Sequence, residues 1–495
     1  MKSNSHAFIL IKNLSMTEKR YFNLYSERHA GSMNKSKILF HILDQIKIED
    51  DSHIKALLKK QGVNPAFISA DKNYLYKLIL RSLQAYHHGK TDEYSQIEKL
   101  LQIKILYEKG LYDLCAIEAE KAYKTAVEKE NYSLTIELLM WLRRSIGYSK
   151  GLLSAYDINA KIVENNRLQY NQIQYTDLYY ESLKLRFSGF KARNESRKSL
   201  FTSLLKNPLL QDPSLALTLL SKLRYHLIFA NYYFVTNEQD KELFHLKVTL
   251  TEMEKSGYYH IENPFDYIYV YHSYLQLLKD VKQDDFNIEI KRFKQFSLKL
   301  KISKEKCEIL IFTFSALLEL NRNIENKRWA ENISIIPAIE KKLKFFFKRI
   351  EPAIQINLWY LFAYSNFKVK NYKKSLQYIN IIQNDYVESD REDIYNLSKV
   401  FLLILYYELK KFDLLDHAIQ NITQQLKKKG KLYKTEMLVI QVLQKLATST
   451  LSDTKKSLLH LSASLKNIQE NKFEAPALEL FDFEMWCNEK LKITE

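Results

Sequence analysis

The chain has 495 residues, a length that accommodates about three globular domains or one long repetitive array. Gly 9 and Pro 7 make up about 3% of positions against roughly 12% in average usage, which excludes a β-sandwich, a barrel or a loop-rich enzyme, and 46% hydrophobic with 27% charged residues excludes wholesale disorder. Lys and Arg number 75 against 58 Asp and Glu, a net charge of +17 that suits a nucleic acid or an acidic partner and equally a merely solvated basic surface.

Cys115, Cys307 and Cys487 lie far apart without CxxC spacing, so neither a disulfide framework nor a zinc site is expected, and a reducing cytoplasm fits best. The apolar stretch Ala7 to Ile11 is ended by Lys12 and is shorter than the core of a signal peptide. The charge-free runs Tyr225 to Asn237 and Tyr267 to Leu278 stay short of the roughly 18 apolar residues needed to cross a bilayer, so no membrane span is expected.

Residues 1–91 read as an N-terminal helical module. Ser15-Met16-Thr17-Glu18 is a helix start in which the Ser15 hydroxyl accepts the Glu18 amide and the carboxylate returns the bond. Tyr21, Phe22, Leu24 and Tyr25 supply a buried stripe behind it, and Tyr74, Leu75, Leu78, Ile79 and Leu83 a packing face on a later helix. A helix beginning near Asn34 with Lys35 and Lys37 suits a helix-turn-helix reader, but the module holds no special excess of basic charge. A capping or dimerising bundle explains the same pattern.

Residues 92–495 repeat one unit: a helix, a short polar turn with an aromatic just after it, and a second helix. Lys109-Gly110-Leu111-Tyr112, Lys282-Gln283-Asp284-Asp285-Phe286, Lys370-Asn371-Tyr372 and Lys410-Lys411-Phe412 are the clearest turns. Tyr267, Tyr271, Tyr274 and Leu278, spaced four, three and four, mark one such helix. Further breaks fall at Asn207-Pro208, Gln211-Asp212-Pro213, Gly257, Asn263-Pro264 and Gly430, leaving helices of about 15 to 22 residues. A pair of this length cannot bury its apolar face alone, so about nine pairs stack on one another, followed by a closing helix from Ala475 to Leu491.

Trp359, Ala363, Tyr372 and Ser375 resemble the tetratricopeptide helix-turn-helix repeat: a bulky residue, a small one four on, an aromatic after the turn, then another small one. Leu106, Gly110, Tyr112, Cys115, Ala119 and Ala122 are similar to the same pattern, as are Tyr406, Phe412 and Ile419. The layout, with Leu14 to Phe22 ahead of a helical array, also resembles uncharacterised bacterial proteins of similar length. The resemblance implies an all-α fold, a right-handed α-solenoid of antiparallel helix pairs behind the N-terminal module. In that family the first helices line a concave groove that holds peptides. It implies a groove stripe of Tyr360, Tyr364 and Lys368, with Val400, Ile404 and Glu408 at the corresponding positions one unit on. The Lys and Asn clamp by which some members hold a carboxylate is absent at these sites. An apolar, aromatic groove for a protein or peptide is one expectation, and simple packing between repeats is the other.

No motif carries catalysis. GxxxxGK[ST], GxGxxG and HExxH are all lacking, and Gly147-Tyr148-Ser149-Lys150-Gly151 reads as an inter-helix turn. Glu242 and His245 have the ExxH spacing of di-iron bundles without a second copy, His87 and His88 point about 100° apart on a helix, and Cys115 holds a packing position. No enzyme activity and no cofactor or metal is therefore expected. Two basic clusters remain: Lys341, Lys342, Lys344, Lys348 and Arg349 around Phe345 to Phe347, and Lys427, Lys428, Lys429, Lys431 and Lys434 around Gly430. Cations near helix C-termini complement the macrodipole, and binding nucleic acid there requires exposed rings where buried ones are expected. The leading expectation is a non-enzymatic protein- or peptide-binding scaffold or adaptor. The alternative is a nucleic-acid-associated regulator using the N-terminal module or the basic clusters, and the oligomeric state is not legible.

Overall fold

The computed structural model describes residues 4–493 apart from 30–34, 90–91, 188–195, 237, 282, 301–303, 429–432, 449–450 and 470–479. Every described element is a helix, and no strand occurs among the described residues. The chain divides into two compact units, Met1–Asn166 and Arg167–Glu495.

The first unit contains α1 (His6–Asn13), α2 (Met16–His29), α3 (Lys35–Gln45), α4 (Asp51–Lys60), α5 (Ile68–His87), α6 (Asp92–Glu108), α7 (Tyr112–Glu128), α8 (Tyr132–Lys150) and the start of α9 (Tyr156–Phe187), in which the division falls. It holds two hydrophobic clusters. One gathers Phe8, Ile11, Phe40, Leu43, Leu75 and Ile79 from α1, α3 and α5, and the other Ile103, Cys115, Ala119 and Leu142 from α6, α7 and α8. The expected boundary at 91/92 lies between them in the chain.

The Ser15 start of α2 has both expected bonds: the Glu18 amide donates to Ser15 Oγ at 3.3 Å, and Glu18 Oε2 accepts the Ser15 amide at 2.8 Å. Glu18 Oε1 also lies 3.1 Å from His87 Nε2, tying the start of α2 to the end of α5. His88 turns instead to Glu98, so the two histidines do not converge. Leu24 and Tyr74, expected in the buried faces, are exposed, because each lies off the stripe that Phe22 and Leu75 direct inward. Lys35 and Lys37 pair with Asp71 and Glu27.

The second unit contains the rest of α9, then α10 (Ser196–Leu205), α11 (Leu219–Thr236), α12 (Gln239–Lys255), α13 (Tyr259–Glu262), α14 (Pro264–Val281), α15 (Gln283–Gln295), α16 (Lys304–Glu325), α17 (Trp329–Phe345), α18 (Pro352–Lys368), α19 (Tyr372–Asp385), α20 (Glu392–Glu408), α21 (Phe412–Lys428), α22 (Lys434–Thr448), α23 (Leu451–Gln469) and α24 (Phe483–Ile493). Neighbours in the chain pack as pairs, α11 with α12, α16 with α17, α18 with α19 and α20 with α21. At 32 residues, α9 exceeds the expected helix length, since no glycine or proline interrupts it. Gly147 lies inside α8 rather than in a turn, and the helix ends at Gly151, where φ is +89°. Lys282, Gly31-Ser32, Gly430 and Ala475 to Glu479 are outside the described residues.

One turn design recurs in both units. Gly110, Glu130, Lys327, Lys370 and Lys410 are all left-handed, with φ of +74°, +52°, +56°, +61° and +55°. In the last of these the Lys410 amide donates to Tyr407 O at 3.0 Å and the Lys411 amide to Tyr406 O at 2.9 Å, closing the helix in a Schellman motif. Two residues after each left-handed position stands an aromatic that opens the next helix: Tyr112, Tyr132, Trp329, Tyr372 and Phe412. Three of them pack back across the turn, Tyr112 on Tyr107, Tyr372 on Phe367 and Phe412 on Tyr407. Three residues further on, a buried donor reaches a carbonyl twelve residues back. Cys115 bonds Ile103 O, Asn332 bonds Leu320 O at 3.1 Å, and Ser375 bonds Ala363 O at 2.8 Å. Small or polar side chains there let the paired helices approach while leaving no buried donor unmet.

A side chain at a left-handed position costs roughly 1 kcal/mol that glycine avoids, partly offset by glycine's greater freedom in the unfolded chain. Lys410→Gly is therefore expected to stabilise the second unit by about 0.5 kcal/mol, read as a raised urea midpoint at unchanged slope.

Candidate functional site

α18 has no polar face: every residue from Leu358 to Phe367 is buried. A helix buried all round needs neighbours on all sides. α17, α19 and α20 supply some of them. α16 packs on it as well, and further cover comes from far along the chain, from residues 480–491.

The six expected groove positions are therefore not an open wall. Tyr360 and Tyr364 are 1% and 5% exposed, and Val400 and Ile404 are fully buried. The Tyr360 hydroxyl donates to Leu480 O at 3.1 Å, and the Asp482 amide lies 3.4 Å from the Tyr364 hydroxyl, which accepts it. Phe481 packs edge-on or tilted among Tyr364, Phe367 and Phe401, with ring centroids 5.6, 5.4 and 4.9 Å away. Lys368 Nζ lies 3.2 Å from Met485 Sδ. Glu408, whose side chain is 4% exposed, accepts from Trp486 Nε1 at 2.7 Å and Lys490 Nζ at 2.6 Å. Val400 and Ile404 belong to the same hydrophobic core as Phe481, Phe483 and Trp486.

The arrangement follows from repeat geometry. Lys327, Lys368 and Glu408 stand at the ends of α16, α18 and α20, about one repeat apart. The 480–491 segment meets all three: Lys327 lines a shallow hollow with Asp482, Met485 and Glu489, Lys368 meets Met485, and Glu408 meets Trp486 and Lys490. On its other side α24 packs on α23, where Lys466 pairs with Glu484 at 3.3 Å.

Burial pushes the Tyr364 hydroxyl well above its ordinary range, so it works here as a neutral hydrogen-bonding group. Burial lowers the Lys368 ammonium, with Asp482 and Glu489 pulling the other way. Cys307 and Cys487 are buried and pushed up to about 11 and about 12 by that burial, and Cys115 is also raised by it, so none of the three is a ready nucleophile. Here α24 and the residues just before it are held by aromatic packing, with charge at one end.

The basic clusters differ from expectation in their rings. Lys341, Lys342, Lys344, Lys348 and Arg349 are exposed, and so are Phe345 at 80% and Phe347 at 41%, because the last turn of α17 directs Leu343 into the core and leaves Phe345 on its outer side. Lys344 pairs with Glu340, Arg349 with Glu305, and Lys342 sits over the Phe312 ring. Lys427, Lys428 and Lys434 are exposed, while Lys429 and Lys431 lie outside the described residues.

Glu242 and His245 do not share a ligand. Glu242 faces Arg186 at 3.8 Å, whereas His245 Nδ1 lies 2.9 Å from His226 Nδ1. No group of three or more metal-ligating side chains occurs among the described residues. Burial depresses His226, lowers His245 to about 4 with help from His226, and lowers His272 to about 4, while it raises Glu242 to about 7 against the pull of Arg186. A histidine depressed in the folded state takes up its proton more readily unfolded, so stability falls as pH drops from about 6.5 toward 4. Glu242 acts with the opposite sign between about 4.5 and 7. Three depressed histidines outweigh the one raised carboxyl, so below about pH 6.5 the net effect is a loss of stability as pH falls. The urea midpoint of the second unit is therefore expected to be lower at pH 5 than at pH 7, and His272→Phe to flatten that slope.

Comparison with known protein families, with curated proteins and with solved structures finds no match to this chain. No helix among the described residues is long and apolar enough to cross a membrane. What stands is an all-α protein whose helices pack in neighbouring pairs.

Proposed function

We propose that this chain is a non-enzymatic scaffold or adaptor, a right-handed, tetratricopeptide-like α-solenoid in the cytoplasm that binds a protein or peptide through the face of α18 and α20. The observation that carries the reading is the seat itself: Tyr360, Tyr364, Lys368 and Glu408 grip a helical segment by its backbone carbonyl, backbone amide, thioether, indole and ammonium. Further support comes from the recurring Schellman turn and trailing aromatic, the regularity that stacked repeats require.

Capture of a partner from the native host, with and without nuclease and across a salt series, tests it. Apolar helix capture survives nuclease and changes little with salt, whereas phosphate binding weakens steeply. The second reading, a nucleic-acid-associated regulator, is favoured by one observation, the exposed Phe345 and Phe347 among five exposed cations. A partner lost on nuclease treatment supports that reading and contradicts the first.

A further inference from the structure

The 480–491 segment has the character of a bound ligand. Its anchors are buried, with Phe481, Phe483 and Trp486 each 1% exposed and Cys487 fully covered. They follow the pattern Phe-x-Phe-x-x-Trp-x-x-x-Lys, and the contacts give each position a reason. Phe481 enters the ring cluster around Phe401, Phe483 packs tilted against Phe481 at 4.6 Å, and Trp486 and Lys490, one helical turn apart, share the Glu408 carboxylate. The Asp482 side chain caps α24 by accepting the Met485 amide at 2.8 Å. The segment thus carries its own helix start and places an apolar face and one cation on the seat. Helix-in-groove recognition uses the same parts.

We propose that residues 480–491 are a resident occupant of a helix-binding seat, and that the seat's partner is an amphipathic helix of another protein with the same anchors: aromatics two apart, an aromatic three on, and a cation one turn further. This rests on the binding face proposed above and adds its ligand class and its regulation. The segment holds the seat in cis, so the partner must displace it. A tethered competitor acts at an effective concentration on the order of 1 mM, so if the segment's own intrinsic dissociation constant is on the order of 10 µM it weakens any competing free helix about 100-fold.

The test uses the full chain and a labelled synthetic peptide of residues 480–493 carrying Cys487→Ser. The unaltered chain and its Trp486→Ala/Lys490→Ala variant are titrated with the peptide while alkylation of each cysteine is mapped. The variant is expected to bind at least tenfold more tightly, with Cys487 alkylated and the buried Cys115 and Cys307 still protected, which certifies the fold. Equal binding by the two chains overturns competition in cis and leaves the binding face standing, as does a Cys487 that stays protected in the variant. A variant with Cys487 exposed that binds no peptide overturns the face and this inference together. A second variant guards against general loosening: Glu408→Lys is expected to reject the native peptide and accept one carrying Lys490→Glu, and failure to switch overturns the assignment of Lys490 as the cation anchor.

Discussion

Phe401→Ala is expected to destabilise the second unit by about 3–5 kcal/mol. Phe401 is 1% exposed and stands at the centre of a ring cluster, with Tyr360, Phe367 and Phe481 at 5.9, 5.2 and 4.9 Å. Its removal deletes these contacts and a fourth, edge-on to Tyr364 at 6.4 Å, each contributing about 0.5–1.5 kcal/mol beyond buried area, and leaves a cavity that α18 cannot fill, since α18 is itself packed on every side. Phe345→Ala, at a ring 80% exposed, is the matched control and is expected to change stability by less than about 0.5 kcal/mol. Urea unfolding followed by circular dichroism separates the two. A Phe401→Ala loss below about 1 kcal/mol contradicts the central placement of this ring.

In the first unit the largest effect is expected at Lys72. Its ammonium is buried between Glu49 and Asp51, and Glu49 in turn accepts the amide and the hydroxyl of Ser5 at 2.6 Å, which fixes the start of α1. Burial works to raise the Glu49 carboxyl, but the bonds from Lys72 and Ser5 outweigh it and hold the group below its usual range. Lys72→Met strands that carboxylate in the interior, an expected loss of about 3–5 kcal/mol, and Glu49→Gln in the same chain recovers much of it. Because Glu49 is depressed, the stability it contributes is present above about pH 4.5 and lost as pH falls through its folded value. Hydrogen exchange in α1, α4 and α5 reads the loss, and equal exchange in the single and double variants contradicts this coupling.

Much of the fold was legible because the chain repeats a local solution. The turns at Gly110, Lys370 and Lys410 announce themselves by a polar pair and a following aromatic, and the structure adds Glu130 with Tyr132 and Lys327 with Trp329, where the same aromatic two residues after the left-handed position is the signal that was available. Leu24 and Tyr74 misled because composition marks a residue as apolar without saying which side of the helix its neighbours occupy. The site was half legible. Spacing placed Tyr360, Tyr364 and Lys368 on one face, and the resemblance named that face as a groove. The Phe-x-Phe-x-x-Trp run was also in plain view, yet its meeting with Tyr360 spans 120 residues, a separation that no local pattern encodes. Helical spacing likewise could not reveal that Phe345 is exposed at the end of α17 while Leu343 just before it is buried.

The most direct measurement adds the 480–493 peptide with Cys487→Ser to the unaltered chain and follows alkylation of that chain's own Cys487. Saturable acceleration at Cys487, with Cys115 and Cys307 still protected, is the predicted result. Alkylation that does not respond to the peptide at any concentration contradicts a seat that one helix can take from another.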